Sequence, residues 1–218
     1  MSRTLIIGDI HGCLDELSAL VDLFQPDHDD RVIAVGDLTV KGPKSREVLD
    51  LFMTDDRFSS VIGNHDYALV KHFRNGQELK SAQAKVFDQL KTDDDRYLKF
   101  LESLPFWLKV GESVVVHAGL RPGVQLSNQS KDDLVELRTL GEDRTDRTGT
   151  PWYQEYAGPP VVFGHWPSPE PRRGKCALGI DSGCVYGFEL TGYVLETAEF
   201  LKVPAIRPYD TPTTNVQT

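Results

Sequence analysis

The stretches TLIIGDIHG, Thr4–Gly12, and VIAVGDLTVKGP, Val32–Pro43, decide the fold of this sequence. Each begins with a short aliphatic run that ends abruptly in Gly-Asp, and a continuous apolar run of this length predicts a buried strand. Apolar residues at helical spacing follow both runs, in LDELSALVDLF and in SREVLDLF. A weaker third run, FSSVIGNHD, precedes YALVKHF in the same way. This alternation predicts an α/β fold in which a central sheet carries helices on its outside.

The rest of the chain changes pattern twice. Residues 80–104 are polar with helical periodicity, which indicates a helical insertion or cap over about 74–104. From Trp107 the pattern is strand-like, in SVVVHAG, PVVFGHW, CALGID and the run Phe188–Leu195, with a polar loop and one short helix between the first two. We therefore predict one domain over 1–200 and a loosely packed, Pro- and Thr-rich tail over 201–218.

The composition narrows the class of protein. The 218 residues are 39% hydrophobic and 26% charged, as in soluble globular proteins. No apolar run reaches the ~20 residues that span a membrane, and no secretion signal is visible. Three scattered cysteines argue against a disulfide framework or a zinc cluster and favour the cytoplasm. A formal charge of −9 argues against stable nucleic-acid binding but allows a small phosphorylated substrate at a locally cationic site.

Polar residues cluster where the predicted strands end. Because loops converge at the carboxyl ends of strands in open α/β sheets, residues far apart in sequence are expected to meet in one pocket there. A neighbouring glycine in each cluster permits close backbone approach to a bound ion or phosphate. The residues expected to meet are Asp9, His11, Asp37, Asn64, His65, His117 and His165.

The residue types in this set indicate metal chemistry. Carboxylate, imidazole and amide oxygen suit Mn, Fe, Zn or Co, and the set lacks the thiolates of a structural zinc site. Two ions about 3.5–4 Å apart, sharing one carboxylate and a bridging water, would use all these ligands, and hydrolysis of phosphate esters or anhydrides follows as the reaction class. One Gly-Asp alone is a common turn, and His28 and His72 are interpreted as surface or packing residues.

The combined pattern resembles the calcineurin-like metallophosphoesterases over about residues 4–196. The family signature is matched by Asp9-Ile-His11, Gly36-Asp37, Gly63-Asn64-His65-Asp66, His117 and His165. Several further stretches resemble the branch that contains phosphoprotein phosphatases and, in particular, dinucleoside-tetraphosphatase-like enzymes: GDIHG, VVHAGLRPG, VVFGHW and IDSGCVYG. The resemblance implies an αββα fold, two mixed sheets packed as a sandwich and flanked by helices.

The resemblance also implies a role for each matched residue. Asp9 and His11 would hold a first divalent ion, and Asp37 would bridge to a second. Asn64, His117 and His165 would complete the second site. Mn is the first expectation for both ions, with Fe, Zn, Co or Ni as alternatives. His65 would act near the leaving-group oxygen as a general acid or hydrogen-bond donor.

The second motif departs from the phosphoprotein phosphatases. Their X-X-Asp-Arg-Gly after Gly-Asp is replaced here by Val40 and Lys41. Valine cannot orient the imidazole of His65, and lysine contacts phosphate as a point charge and not as a bidentate fork. This form is similar to tetraphosphatase-like enzymes. Further candidates for phosphate binding are Arg138, where relatives often carry a substrate arginine, and Arg121.

For several other residues near the motifs, the sequence does not decide between a functional and a structural role. Arg144 and Arg147 are equally explained as part of a solvated loop. Asp181 is either a support for a histidine ligand or a turn cap, and Cys184 is interpreted as a small buried residue.

Three functions remain open from the sequence. The leading one is a two-metal hydrolase of dinucleoside polyphosphates. The first alternative is a phosphomonoesterase that acts on phosphoproteins or small phosphate esters. The second, motivated by Val40, is a nucleotide-binding module that retains metal and has weak catalysis, although no ligand of the family pattern is missing.

Overall fold

The computed structural model describes residues 2–211, which form two five-stranded mixed sheets. The first sheet has the order β10-β9-β1-β2-β3, and the second has the order β4-β5-β6-β8-β7. The strands are β1 (Thr4–Ile7), β2 (Arg31–Ala34), β3 (Phe58–Ser60), β4 (Trp107–Val110), β5 (Ser113–Val116), β6 (Val161–Phe163), β7 (Arg172–Arg173), β8 (Ala177–Gly179), β9 (Glu189–Val194) and β10 (Glu199–Pro204).

Helices cover the outer faces of the sheets. They are α1 (Leu14–Phe24), α2 (Ser45–Thr54), α3 (Asn64–Asn75), α4 (Ser81–Leu90), α5 (Arg96–Ser103), α6 (Lys131–Glu136) and α7 (Trp152–Glu155). The region predicted as a helical insertion at about 74–104 does contain α4 and α5; that it is an insertion stays a prediction. No helix in the part of the chain described here is long and apolar enough to cross a membrane.

Alternate residues of the central strands build separate layers of the core. Ile6 and Ile33 are register partners on β1 and β2, and they pack in one buried cluster with Val115 and Val162 of β5 and β6. Their chain neighbours on the same strands point the other way, towards α1 and α2 or towards Trp152. Since side chains alternate along a strand, this arrangement is a sandwich of two sheets with helices outside. The predicted αββα fold is confirmed.

The direction of the strands places the functional side chains. In the first sheet β1, β2 and β3 are parallel, and in the second sheet β5, β6 and β8 are parallel. Every motif of the sequence follows one of these six strands. The loops at their carboxyl ends therefore meet at one edge of the sandwich, as expected for a ligand site in such folds.

The predicted domain boundary at residue 200 falls inside β10. This strand pairs with β9 from Glu199↔Val194 to Pro204↔Glu189. The chain beyond it is also attached, because the backbone N–H groups of Ile206 and Tyr209 donate to Glu16 and to Val185. The alternation of apolar and polar residues in EFLKVP is weak and ends at Pro204, so the sequence pattern did not predict this strand. Pairing with the edge of β9 stabilises it. The tail is thus packed up to residue 210, and residues 212–218 lie outside the described part.

Candidate metal centre and phosphate-binding cavity

Asp37 lies at the centre of the predicted cluster. Its Oδ2 is 3.4 Å from Nε2 of His11 and 3.6 Å from Nε2 of His117. Its Oδ1 accepts a hydrogen bond of 2.9 Å from the backbone N–H of His65. One carboxylate therefore faces imidazoles from both sheets, which is the position that a bridging ligand needs.

Asn64 joins the other predicted ligands. Its Oδ1 lies 3.1 Å from Nε2 of His117 and 2.9 Å from Nδ1 of His165. The backbone N–H of His165 donates to Asp9, 3.1 Å from Oδ1. Ligand-type atoms of Asp9, Asp37 and His117 all lie within 4.8 Å of one another. The structure thus brings together all six predicted ligands, although they follow five different strands.

Hydrogen bonds donated to backbone carbonyls determine which nitrogens of His11 and His117 face the cluster. Nδ1 of His11 donates to Thr39 O at 3.0 Å, and Nδ1 of His117 donates to Val35 O at 2.9 Å. Each Nε2 is consequently left with a lone pair, as in histidines that ligate metal. His117 Nε2 then faces Asn64 Oδ1, so two lone-pair atoms approach each other, which suits residues that share a cation.

Burial raises the electrostatic cost of this arrangement. It raises the pKa of Asp37 to about 6 and the pKa of Asp9 well above its usual range, where Asp181 and Asp37 add repulsion. Burial likewise lowers the pKa of His117 to about 4, so this imidazole is neutral at neutral pH. Crowded carboxylates and neutral imidazoles in one buried site are the donor set that a divalent cation stabilises. On this chemistry, the residues fit a metal centre.

Two glycines allow the carboxylates to approach the backbone. A Cβ on Gly63 would lie 2.1 Å from Oδ1 of Asp37, and a Cβ on Gly164 would lie 2.0 Å from Oδ1 of Asp9. The glycines of GNHD and FGHW are therefore required by the close packing of loop against carboxylate.

The imidazole of His65 lacks a hydrogen-bond partner at Nδ1 in the described part of the chain. Its Nδ1 is buried and makes no hydrogen bond within residues 2–211, and its ring packs edge-on against His11 with centroids 5.2 Å apart. Burial, reinforced by Lys41, lowers the pKa of His65 well below its usual value. Val40 does not replace the missing carboxylate, since its side chain is fully buried in the apolar core beneath the loop.

The loop that carries Val40 is strained. Val40 and Lys41 have φ values of 70° and 69°, a left-handed conformation that is rare for a β-branched residue. This conformation buries the side chain of Val40 and directs the side chain of Lys41 towards the cluster. Nζ of Lys41 lies 3.0 Å from Nε2 of His11. Although burial opposes it, the pKa of Lys41 is raised because Tyr186 and Asp37 stabilise the cation. Strain of this kind is typical of functional sites.

A cavity of about 550 Å³ opens over the cluster. Its wall includes four cationic side chains from separate segments of the chain, Lys41, Lys80, Arg138 and Arg147. Burial lowers the pKa of Arg138 to about 10, which leaves it cationic at neutral pH, and its Nε is buried with no partner among the described residues. The same cavity is lined by five acidic side chains, Asp9, Asp37, Glu136, Asp181 and Asp210, so it would be cationic overall only with divalent ions bound.

The side chain of Arg121 lies outside this cavity. Its guanidinium makes a bidentate contact with Asp133, at 2.7 Å and 3.1 Å, and the residue does not line the cavity in the described part of the chain. Arg144 is likewise paired, at 3.1 Å from Asp132. The structure thus gives no support to the expectation that Arg121 binds substrate phosphate, because α6 supplies a carboxylate, that of Asp133, which the sequence did not place beside it. The expectation stays a prediction.

Comparison with protein families decides the class. The family model described as calcineurin-like phosphoesterase matches residues 2–202. The chain belongs to the calcineurin-like phosphoesterase family. Membership makes it a phosphoesterase, implies divalent metal ions, and agrees with the ligand-type cluster described above.

Relatives of this calcineurin-like phosphoesterase are similar over nearly their whole length. It is 34% identical to the bis(5'-nucleosyl)-tetraphosphatase PrpE, described as asymmetrical, of Bacillus subtilis (strain 168), with 94% of this chain and 96% of the relative covered. It is 30% identical to the protein of the same name from Oceanobacillus iheyensis, with 94% and 93% covered.

Solved structures agree with the fold. A crystal structure described as that of a proposed diadenosine tetraphosphatase superposes with a TM-score of 0.81 at 33% identity, with 94% of each chain covered. A serine/threonine phosphatase from Saccharomyces cerevisiae with similarity to phosphatase PP5 gives a TM-score of 0.61 at 17% identity, with 97% of this chain and 81% of that chain covered. The second likeness concerns the fold alone.

Sequence reasoning missed part of the phosphoesterase cavity. Lys80 and Arg147 line it, and so does Tyr186, whose ring lies 5.3 Å from Nζ of Lys41. Lys80 belongs to no motif, Arg147 lies in a loop that has two interpretations from the sequence, and Tyr186 lies in IDSGCVYG, where the sequence assigns it no role. Their place in the fold puts them at the cavity. Asp181 both lines the cavity and caps a turn through the Gly183 N–H at 2.9 Å. Cys184 is buried, as predicted, but it lies beside Cys13, so the cysteines are less scattered than the sequence indicated.

Proposed function

We propose that this protein is a two-metal hydrolase of dinucleoside polyphosphates such as diadenosine tetraphosphate. The observation that carries the proposal is the set of cations Lys41, Lys80, Arg138 and Arg147 around one cavity. A single phosphomonoester needs fewer cations, whereas a polyphosphate bridge adds negative charge with every phosphate. The names of the relatives at 30–34% identity support the same substrate class.

The proposed ligands divide around Asp37. Asp9 and His11 hold one divalent cation, and Asn64, His117 and His165 hold the other, with Asp37 shared and Mn²⁺ as the first expectation. Oδ2 of Asp37 lies 3.4 Å from Nε2 of His11 and 3.6 Å from Nε2 of His117, which supports this division. When bound, such a pair neutralises phosphate charge and supplies a nucleophile at neutral pH.

The remaining roles fall to side chains of the cavity. Lys41 and Arg138 bind the phosphate nearest the cluster, and Lys80 and Arg147 bind phosphates further along the chain. His65, whose Nδ1 has no partner within the described residues, donates a proton or a hydrogen bond to the leaving oxygen through the ring. The low exposure of the cluster side chains strengthens each charge interaction.

A substrate panel tests the proposal. Protein with Mn²⁺ is assayed on diadenosine tetraphosphate, a phosphopeptide and p-nitrophenyl phosphate at matched metal, with kcat/KM compared and products separated by chromatography. We expect the highest kcat/KM on the tetraphosphate, with ATP and AMP as products, and complete loss of activity with chelator. Asp37→Asn should remove several kcal/mol of transition-state stabilisation.

Two outcomes would support the alternatives. A higher kcat/KM on the phosphopeptide would identify a phosphoprotein phosphatase. Tight nucleotide binding without turnover in any metal would identify a binding module. Equal activity of the Asp37→Asn variant would contradict the shared-carboxylate assignment.

A further inference from the structure

A second group of side chains of metal-ligand type lies in the core beside the cavity. Cys13, Glu16 and Cys184 form this group, which we call the thiol cluster. One ligand-type atom from each lies within 4.8 Å of the others. Each residue is only 1% exposed. Both cysteines are free thiols.

In the described part of the chain, only one of the two oxygens of the Glu16 carboxylate accepts hydrogen bonds. Its Oε1 accepts hydrogen bonds from the backbone N–H of Ile206 at 2.9 Å and from the hydroxyl of Tyr209 at 2.8 Å. Its Oε2 is buried and has no partner among the described residues. A buried, unpaired carboxylate oxygen is costly, and here the groups beside it are two thiols.

We propose that the thiol cluster is a binding site for one thiophilic divalent cation, such as Zn²⁺ or Cd²⁺. Two sulfur ligands and one carboxylate are a donor set that selects soft or borderline metals. The catalytic cluster instead offers only oxygen and nitrogen, so the two sites differ in metal preference. Cys184 also lines the wall of the large cavity, which gives a cation a path to the cluster. This proposal does not depend on the identity of the substrate.

The position of the cluster indicates a structural role. Cys13 precedes α1, Cys184 begins a short 3₁₀ turn at Cys184–Tyr186, and Glu16 contacts the segment after β10. A cation held by all three side chains would join the start of α1, which supplies Cys13 and Glu16, to the distant turn that supplies Cys184. Binding to the folded state alone then stabilises the protein.

Cadmium spectroscopy tests the site without relying on activity. Reduced protein is first loaded with Mn²⁺ and then titrated with Cd²⁺, while the thiolate-to-cadmium charge-transfer band in the ultraviolet is measured. The catalytic ligands include no cysteine, so Cd²⁺ there gives no such band. We expect one Cd²⁺ per chain with two-sulfur intensity, and a raised Tm.

Variants locate the site. Cys13→Ser and Cys184→Ser should each lose most of the band, and the double variant should lose all of it. Cys176→Ser is the matched control and should keep the full band, because Cys176 is outside the cluster. Glu16→Gln, which keeps an acceptor for Ile206, should weaken Cd²⁺ binding by roughly tenfold or more. Circular dichroism checks that each variant is folded.

The ¹¹³Cd chemical shift of unmodified protein gives a second readout if the serine variants do not fold. A shift characteristic of two sulfur ligands would support the proposal. No charge-transfer band at saturating Cd²⁺, a band that survives in the double variant, or a shift characteristic of oxygen and nitrogen ligands would overturn it.

Discussion

At the scale of single residues, the polar side chains of the site are fixed by the backbone. His11 and His117 each donate from Nδ1 to a carbonyl, which settles the nitrogen that faces Asp37. Asp37 is held in turn by the His65 N–H. Such fixed geometry lets charge be stabilised without reorganisation during reaction.

Replacing His65 tests its role as a proton donor. His65→Asn should lower kcat on diadenosine tetraphosphate by roughly 10²–10⁴-fold, the usual worth of general acid catalysis. The loss should be much smaller on p-nitrophenyl phosphate, whose leaving group needs little protonation. Metal analysis should show unchanged Mn²⁺ content. Equal losses on both substrates would argue against proton donation.

Two arginine variants test whether contact with substrate phosphate, and not net charge, determines kcat/KM. Arg138→Ala should lower kcat/KM on the tetraphosphate by roughly 10–100-fold, since a charged hydrogen bond is worth about 1.5–3 kcal/mol. Arg121→Ala removes the same charge outside the cavity, where the partner is Asp133, and should leave kcat/KM unchanged. Steady-state kinetics of both variants gives the comparison. A similar loss in each would show that net charge, and not contact, is responsible.

At the scale of elements, loops must pack within van der Waals contact of carboxylates. Gly164→Ala would put a Cβ 2.0 Å from Oδ1 of Asp9. We expect roughly 10²-fold lower turnover and weaker Mn²⁺ binding, because small misplacement of catalytic groups is costly. In the control Gly111→Ala, the described residues place no atom within 4 Å of the new Cβ beyond the chain neighbours. Turnover should persist there, although the φ of +57° costs about 1–2 kcal/mol. Normal Mn²⁺ affinity in Gly164→Ala would contradict this account.

The final strand makes a second prediction at this scale. A chain that ends at Ala198 lacks β10 and exposes the edge of β9, so it should be aggregation-prone and have a lower Tm. The full chain keeps β10 and serves as the comparison. Thermal unfolding followed by circular dichroism measures both Tm values. Equal Tm values for the truncated and the full chain would show that β10 is dispensable.

Particular elements show what the sequence could predict. The strands before GDIHG and GNHD, and the positions of the six proposed ligands after strand ends, were predictable because apolar runs, glycine and polar side chains carry local signals. That the six side chains bind metal stays a prediction. The pairing of Arg121 with Asp133, the meeting of Cys13 with Cys184, and strand β10 depend on contacts between distant segments. Lys80 and Arg147 have no local signal, so only the fold places them at the cavity.

At the scale of the whole molecule, a chain of charge −9 concentrates cations around one cavity. Raising KCl from about 0.05 to about 0.5 M shortens the screening length several-fold. We therefore expect kcat/KM to fall more for diadenosine tetraphosphate than for p-nitrophenyl phosphate, because the longer anion contacts more cations. Initial rates at saturating Mn²⁺ measure this. Parallel declines for the two substrates would contradict a role for Lys80 and Arg147 in binding distal phosphates.

The division of the centre between two sheets has a consequence for biosynthesis. Asp9 meets the backbone of His165, a residue 156 positions later, and Asn64 meets the same residue across 101 positions. During translation the proposed ligands that follow strands of the first sheet emerge from the ribosome long before those that follow strands of the second sheet. A nascent chain therefore carries no complete centre until β6 and its following loop have left the ribosome. On the proposed ligand assignment, a product that terminates before His165 lacks a ligand, and we expect it to have no phosphoesterase activity.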